Sequence, residues 1–98
     1  MENLKDILLG NRPVLIDFFA EWCGPCKAMK PVLDNLKREL GDNVRIIKID
    51  IDKNNALAAS YNIQSVPTLI LFKDNKIVWR ASGARQMSEI KNIIGNYI

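Results

Sequence analysis

The sequence contains no histidine and only two cysteines among its 98 residues. Structural zinc is usually held by four cysteine, histidine or carboxylate ligands, so one copy of this chain cannot complete a cysteine/histidine zinc site. We therefore predict that the protein holds no metal, and the sequence indicates no other cofactor.

Long hydrophobic runs are also missing. No window approaches the ~18 consecutive apolar residues of a membrane span. The first residues, Met1 to Asp6, include acidic side chains and no uninterrupted apolar stretch, unlike a secretory signal. We therefore expect a cytoplasmic protein that does not associate with membranes. In that compartment a structural disulfide is unusual, whereas a catalytic pair of cysteines is not.

Charge is not concentrated in any segment. The 14 basic and 11 acidic residues give a net charge of +3 and are spread along the chain, as on a mixed, solvated surface. Because no basic stripe or nucleic-acid-binding motif is present, we expect no nucleic-acid partner. With 48% hydrophobic residues, a chain of this length fills one core. Residues 1–98 are therefore predicted to form a single, monomeric domain.

The apolar patterns predict an α/β fold, a four-stranded mixed sheet with helices on both faces. The predicted strands span residues 14–20, 44–51, 68–72 and 77–81. The first strand is almost continuously apolar, as in a strand covered on both faces, and a long helix connects it to a parallel second strand. Asp74 and Asn75 tolerate the positive φ of a tight hairpin turn. Other helices are expected before Gly10, around 57–61 with Asp52 or Asn54 as the N-cap, and along 87–97.

The two cysteines lie in Trp22-Cys23-Gly24-Pro25-Cys26, between the first strand and the long helix. A Cys-x-x-Cys at such a junction can alternate between two thiols and one disulfide. The unpaired N–H groups and the dipole of the helix favour the Cys23 thiolate, which is the nucleophilic form. Pro25 is tolerated in the first helical turn and holds Cys26 one turn from Cys23. The alternatives are a static disulfide and half of a zinc site.

Asp17 lies in the middle of the apolar first strand, six residues before Cys23. Burial of a lone carboxylate raises its pKa, which suits a proton acceptor near neutral pH. The alternative is an acid neutralised by a hydrogen bond, with no catalytic role. Lys48, in the second strand, is either its partner across the sheet or a solvated residue. The frequency of X–Pro isomers predicts a trans bond between Val66 and Pro67.

The segment from Ile16 to Lys27 closely resembles the active-site segment of thioredoxins. The resemblance covers roughly residues 4–98 and continues through Pro31, Lys48, Val66-Pro67-Thr68, Phe72-Lys73 and Gly83-Ala84. It implies a thioredoxin-like three-layer α/β/α sandwich and a protein-disulfide reductase. The implied partners are disulfide-containing protein substrates and a thioredoxin reductase.

The same resemblance implies a role for each residue of the site. Cys23 would attack a substrate disulfide, and Cys26 would resolve the mixed disulfide. Asp17, aided by Lys48, would take the proton from Cys26. Pro67 is expected to be cis and to lie against the dithiol. The substrate surface would be formed by Trp22, Gly24, Pro25, Val66, Pro67, Gly83 and Ala84, with Val66 pairing with the substrate backbone.

The sequence departs from thioredoxins at several positions. It begins where the family's first helix begins, so we expect the preceding edge strand to be absent and strand 44–51 to lie at an edge. Phe19 replaces a usual tryptophan, Ser65 and Asn75 replace residues that are commonly glycine, and Ser82 replaces an aliphatic residue. These differences bear on substrate preference rather than on the reaction.

Two other functions are compatible with these residues. The first is a thiol oxidase or isomerase on the same fold, although its members commonly carry histidine between the cysteines, whereas Gly24-Pro25 resembles the reducing members. The second is a non-catalytic binding subunit that uses the surface around Trp22 to hold a partner.

Overall fold

The computed structural model describes residues 3–98. Its helices are α1 (Leu4–Leu8), α2 (Gly24–Leu40), α3 (Asn55–Ser60) and α4 (Met87–Gly95), and its strands are β1 (Val14–Phe19), β2 (Arg45–Asp50), β3 (Thr68–Lys73) and β4 (Lys76–Ser82). Every predicted strand and helix is present, with its ends displaced by a residue or two. No helix within the described range is long and apolar enough to cross a membrane.

The four strands form one mixed sheet in the order β2-β1-β3-β4. β1 is parallel to β2 and antiparallel to β3, and β4 completes an antiparallel hairpin with β3. The helical connection α2 permits the parallel pair because such strands cannot be joined by a tight turn. Within residues 3–98, β2 has a strand neighbour on one side only, as the sequence predicts for this segment.

Helices cover both faces of the sheet and give the predicted three-layer α/β/α arrangement. On one face α2 and α4 pack on the sheet, in a cluster that includes Met29, Leu36 and Ile90. On the other face α1 and α3 pack around Phe18 and Ile70. Because β1 is central and covered on both sides, residues 14–18 are all buried, which explains its continuous apolar pattern.

The turns agree with the sequence-based predictions at the β3–β4 hairpin and differ from them at Asn54 and at the Val66–Pro67 bond. Asp74 and Asn75 adopt φ of +52° and +64° in the β3–β4 hairpin, as predicted. Asn54 occupies the N-cap position of α3, but its side chain makes no cap hydrogen bond and donates instead to the Asp50 carbonyl oxygen at 2.9 Å. The Val66–Pro67 bond is cis, so the trans isomer predicted from X–Pro frequencies is wrong, and the isomer implied by the resemblance is present.

Candidate active site

The two cysteines lie at the junction of β1 and α2, where the helix begins. Cys23 is the N-cap of α2, and Pro25 lies in the first turn. A disulfide joins Cys23 to Cys26, with the Cα atoms 5.2 Å apart. The Cys26 backbone N–H donates to the Cys23 sulfur at 3.1 Å. After reduction, this N–H and the helix dipole would favour a thiolate on Cys23.

The disulfide lies just below the surface, since each cysteine is only 4% exposed. One side of it is bordered by Trp22, which is 69% exposed, and by exposed Gly24 and Pro25. The indole N–H of Trp22 donates to Asp52 Oδ2 at 2.9 Å, which holds the ring in place. A large aromatic surface fixed beside a reactive sulfur is suited to contact with a partner.

The other side of the disulfide is formed by two loops that the fold brings together. The Val66 carbonyl oxygen lies 3.6 Å from the Cys23 sulfur. Pro67 follows in the cis conformation, and its carbonyl accepts the Gly83 N–H at 2.8 Å. Gly83 has φ of +90°, a conformation that favours glycine, and exposed Ala84 follows it. Val66 therefore borders the disulfide directly, and the Gly83 loop is bonded to the Pro67 loop that follows Val66.

Asp17 is fully buried in the middle of β1. Burial raises the pKa of this carboxyl group from 3.8 to about 6, and the nearby Lys48 charge partly opposes the shift. Among the buried side-chain oxygen and nitrogen atoms of residues 3–98, the two Asp17 oxygens are the ones that lack a hydrogen-bond partner. No protein group of the described residues therefore neutralises this carboxylate through a hydrogen bond.

Lys48 is the register partner of Asp17 on β2, as the sequence suggests. No hydrogen bond joins them, because both Asp17 oxygens are unpartnered. The Lys48 ammonium lies instead over the Phe19 ring, 4.8 Å from its centroid, in a cation–π contact. Lys48 therefore acts on Asp17 through its charge. Neither Asp17 oxygen bonds to Cys26 in this oxidised state, so transfer of a proton between them requires a bridging molecule or a movement.

Sequence reasoning missed two features of the site. The sequence indicates Asp52 only as a candidate helix cap, and no local pattern pairs it with Trp22 thirty residues away. The second feature is a pocket beside Cys26 that Lys27, Lys30 and Lys48 help to line. The spacing of Lys27 and Lys30 places them on one face of α2, but only the register of β2 adds Lys48. No group of metal-ligating side chains is assembled within residues 3–98.

Comparisons with known proteins agree with this geometry. The thioredoxin family model matches residues 1–96. Thioredoxin from Chlamydia trachomatis is 47% identical over 96 residues, covering 98% of this chain and 92% of the relative. Thioredoxin from Bacillus subtilis is 40% identical over 85 residues, covering 87% and 82%.

A solved structure shares the architecture as well. A point mutant of thioredoxin from Halobacterium salinarum superimposes with a TM-score of 0.88 at 39% identity, covering 96% of this chain and 81% of the other. Sequence, fold and the arrangement of the Cys23–Cys26 disulfide therefore agree, and the chain belongs to the thioredoxin family of protein-disulfide reductases.

Proposed function

We propose that Cys23 carries out the first step of disulfide reduction in this chain. Its thiolate attacks one sulfur of a substrate disulfide, forming a Cys23–substrate disulfide and releasing the other substrate sulfur as a thiolate. The observation that carries this assignment is the position of Cys23 as the N-cap of α2, with a backbone N–H directed at its sulfur at 3.1 Å. Such a donor lowers the pKa of a thiol and makes it the better leaving group as well.

Cys26 completes the reaction in this proposal. It loses a proton, attacks the Cys23 sulfur, and releases the second substrate thiolate, so that two electrons pass to the substrate and the Cys23–Cys26 disulfide forms. Asp17 is the proton acceptor, acting through a bridging water, because it is buried and unpartnered and has a pKa of about 6. Lys48 is a positioning residue whose charge limits the rise in the Asp17 pKa.

The substrate surface comprises Trp22, Gly24, Pro25, Val66, Pro67, Gly83 and Ala84. Its support is the convergence of three chain segments on one disulfide, including the 3.6 Å approach of the Val66 carbonyl oxygen to the Cys23 sulfur. An extended substrate segment lying along Val66 would pair through backbone hydrogen bonds, which accept many different sequences.

The cycle requires a source of electrons. In this proposal a thioredoxin reductase returns two electrons and two protons to the Cys23–Cys26 disulfide, and disulfide-containing proteins are the substrates. The 98 residues act as one domain in the cytoplasm, where the ambient thiol pool favours reduced cysteines.

A trapping experiment tests the assignment of the two cysteines. Cys26→Ser should accumulate mixed disulfides through Cys23, because the attack survives and the resolution does not. The adducts should be separable on non-reducing gels and released by dithiothreitol. Cys23→Ser is the matched control and should trap nothing. Adducts on Cys26 in the control, or none in either variant, would contradict the two-step assignment and favour a binding subunit.

A further inference from the structure

A pocket of about 260 Å³ opens beside the second cysteine, between the end of β1, the first turns of α2, and β2. Phe19, Ala20 and Cys26 supply its apolar surface. The cavity is smaller than the ~300–1,000 Å³ of sites for drug-sized ligands. Its size suits a single side chain or a fragment of comparable volume.

Three lysines also line this pocket, Lys27, Lys30 and Lys48. Within residues 3–98, Lys27 forms no ion pair. Lys30 pairs with Asp34 at 3.0 Å, but both side chains are largely exposed, so the pair is weak and exchanges readily. The cation–π contact with Phe19 keeps the Lys48 ammonium near the pocket.

Nearby carboxylates offset these positive charges only in part. Glu21 also lines the pocket, and its Oε1 lies 3.7 Å from the Lys53 ammonium. Together with the charged groups that interact with the lining, Asp17, Asp34 and Lys53, the pocket region holds four ammonium groups and three carboxylates, so a net positive charge remains to attract an anion.

We propose that this pocket binds the acidic side chain of a protein substrate, preferably glutamate, close to the disulfide under attack. The methylene groups of glutamate would pack on Phe19 and Ala20, and the carboxylate would meet the ammonium groups of Lys27 and Lys30. The apolar surface favours a carboxylate on an aliphatic stem over inorganic phosphate, which has no apolar part. This inference rests on the proposed function, and it defines a substrate class for it.

The position of the pocket makes the contact geometrically possible. Cys26 lines the pocket and its Cα lies 5.2 Å from that of Cys23, where the substrate is attached. An extended chain advances about 3.3–3.6 Å per residue, so a glutamate two or three residues from the substrate cysteine lies about 7–11 Å from it along the chain, farther than the spacing of the two cysteines. We therefore expect a preference for acidic residues at those positions.

The test uses two peptides with an internal disulfide, identical except for glutamate or glutamine two residues from the attacked cysteine. Stopped-flow measurement of reduction by the full chain should show a preference for the glutamate peptide of about two- to fivefold at low salt. The ratio of the two reduction rates should fall toward one as added salt screens the charges. The double variant Lys27→Gln/Lys30→Gln should lose it, whereas Lys37→Gln, an equal charge change on an exposed side chain of α2, should retain it.

The outcomes distinguish failure of the acidic subsite from failure of the proposed reductase function. If the native chain reduces both peptides at the same rate, the acidic subsite is overturned while the reductase proposal stands. If neither peptide is reduced, the proposed function itself fails. A preference that survives in the Lys27/Lys30 double variant would place recognition elsewhere and overturn the subsite. Loss of the preference when glutarate is added at the peptide's own concentration would assign the pocket to a free dicarboxylate and also overturn it.

Discussion

Two buried carboxylates on neighbouring parallel strands, Asp17 on β1 and Asp50 on β2, differ in their hydrogen bonding. Asp50, at the end of β2, accepts the Asp52 backbone N–H at 2.9 Å. Asp17, in the middle of β1, has no hydrogen-bond partner for either oxygen. A buried polar group left unpaired costs stability, which is consistent with the proposed role of Asp17 as a proton acceptor. Asp50 stabilises a turn, whereas burial destabilises the ionised form of the Asp17 carboxyl group.

The largest expected effect is on the rate at which the mixed disulfide is resolved. Asp17→Asn should slow resolution of the mixed disulfide about a hundredfold near neutral pH, at the lower end of what a positioned base contributes. Quenched-flow detection of the Cys23–substrate adduct measures this step separately from its formation. In the native chain the rate should rise as the pH passes about 6, where Asp17 ionises in the oxidised state. An unchanged rate in the variant would remove Asp17 from the mechanism.

The same substitution should stabilise the oxidised protein at neutral pH. Above about pH 6 the folded state bears the full cost of ionising Asp17, which is about 3 kcal/mol for the shift from 3.8 to about 6. That cost diminishes as the pH falls and disappears below about 3.8, where both states are protonated. The buried amide has its own desolvation cost, so the net gain should be between about 1 and 3 kcal/mol. Urea unfolding at pH 8 and pH 4 measures it, and an equal gain at both pH values would contradict the electrostatic explanation.

Asp50 should respond in the opposite direction. Asp50→Ala leaves the Asp52 N–H without its acceptor and should destabilise the fold by about 1 kcal/mol. Asp50→Asn keeps an acceptor oxygen and should restore most of that loss. Urea unfolding of the two variants makes the comparison, and the resolution rate measured by quenched flow should be unchanged in both. A slowed resolution in Asp50→Asn would show that the two carboxylates do not divide the roles as described.

The smallest expected effect concerns the charge opposite Asp17. Lys48→Met retains an apolar stem over Phe19 but removes the positive charge that lowers the Asp17 pKa. The midpoint of the pH–rate profile for resolution should therefore move to higher pH, with the plateau rate at high pH little changed. If the plateau falls and the midpoint stays, Lys48 acts by contact rather than by charge.

The local features of the site were predictable because their causes are local. A Cys-x-x-Cys after an apolar strand places Cys23 at a helix start, and the positive φ at Asp74 and Asn75 follows from their tolerance of that conformation. The burial of Asp17 follows from the apolar residues on both sides of it in the chain. The isomer of the Val66–Pro67 bond was not predictable from frequencies, since trans predominates at most such bonds. The Asn54 side chain makes no cap bond and instead donates its amide N–H to the Asp50 carbonyl oxygen.

The sequence by itself determined the order of the elements, the dithiol and its position at the start of α2, because each depends on neighbouring residues and their periodicity. Only the tertiary structure decided what surrounds the dithiol. The approach of Val66 to Cys23, the Trp22–Asp52 bond and the three lysines beside Cys26 join residues far apart in the chain. The absence of any partner for Asp17 was likewise decided by packing, because whether a buried oxygen finds a donor depends on every element packed around it.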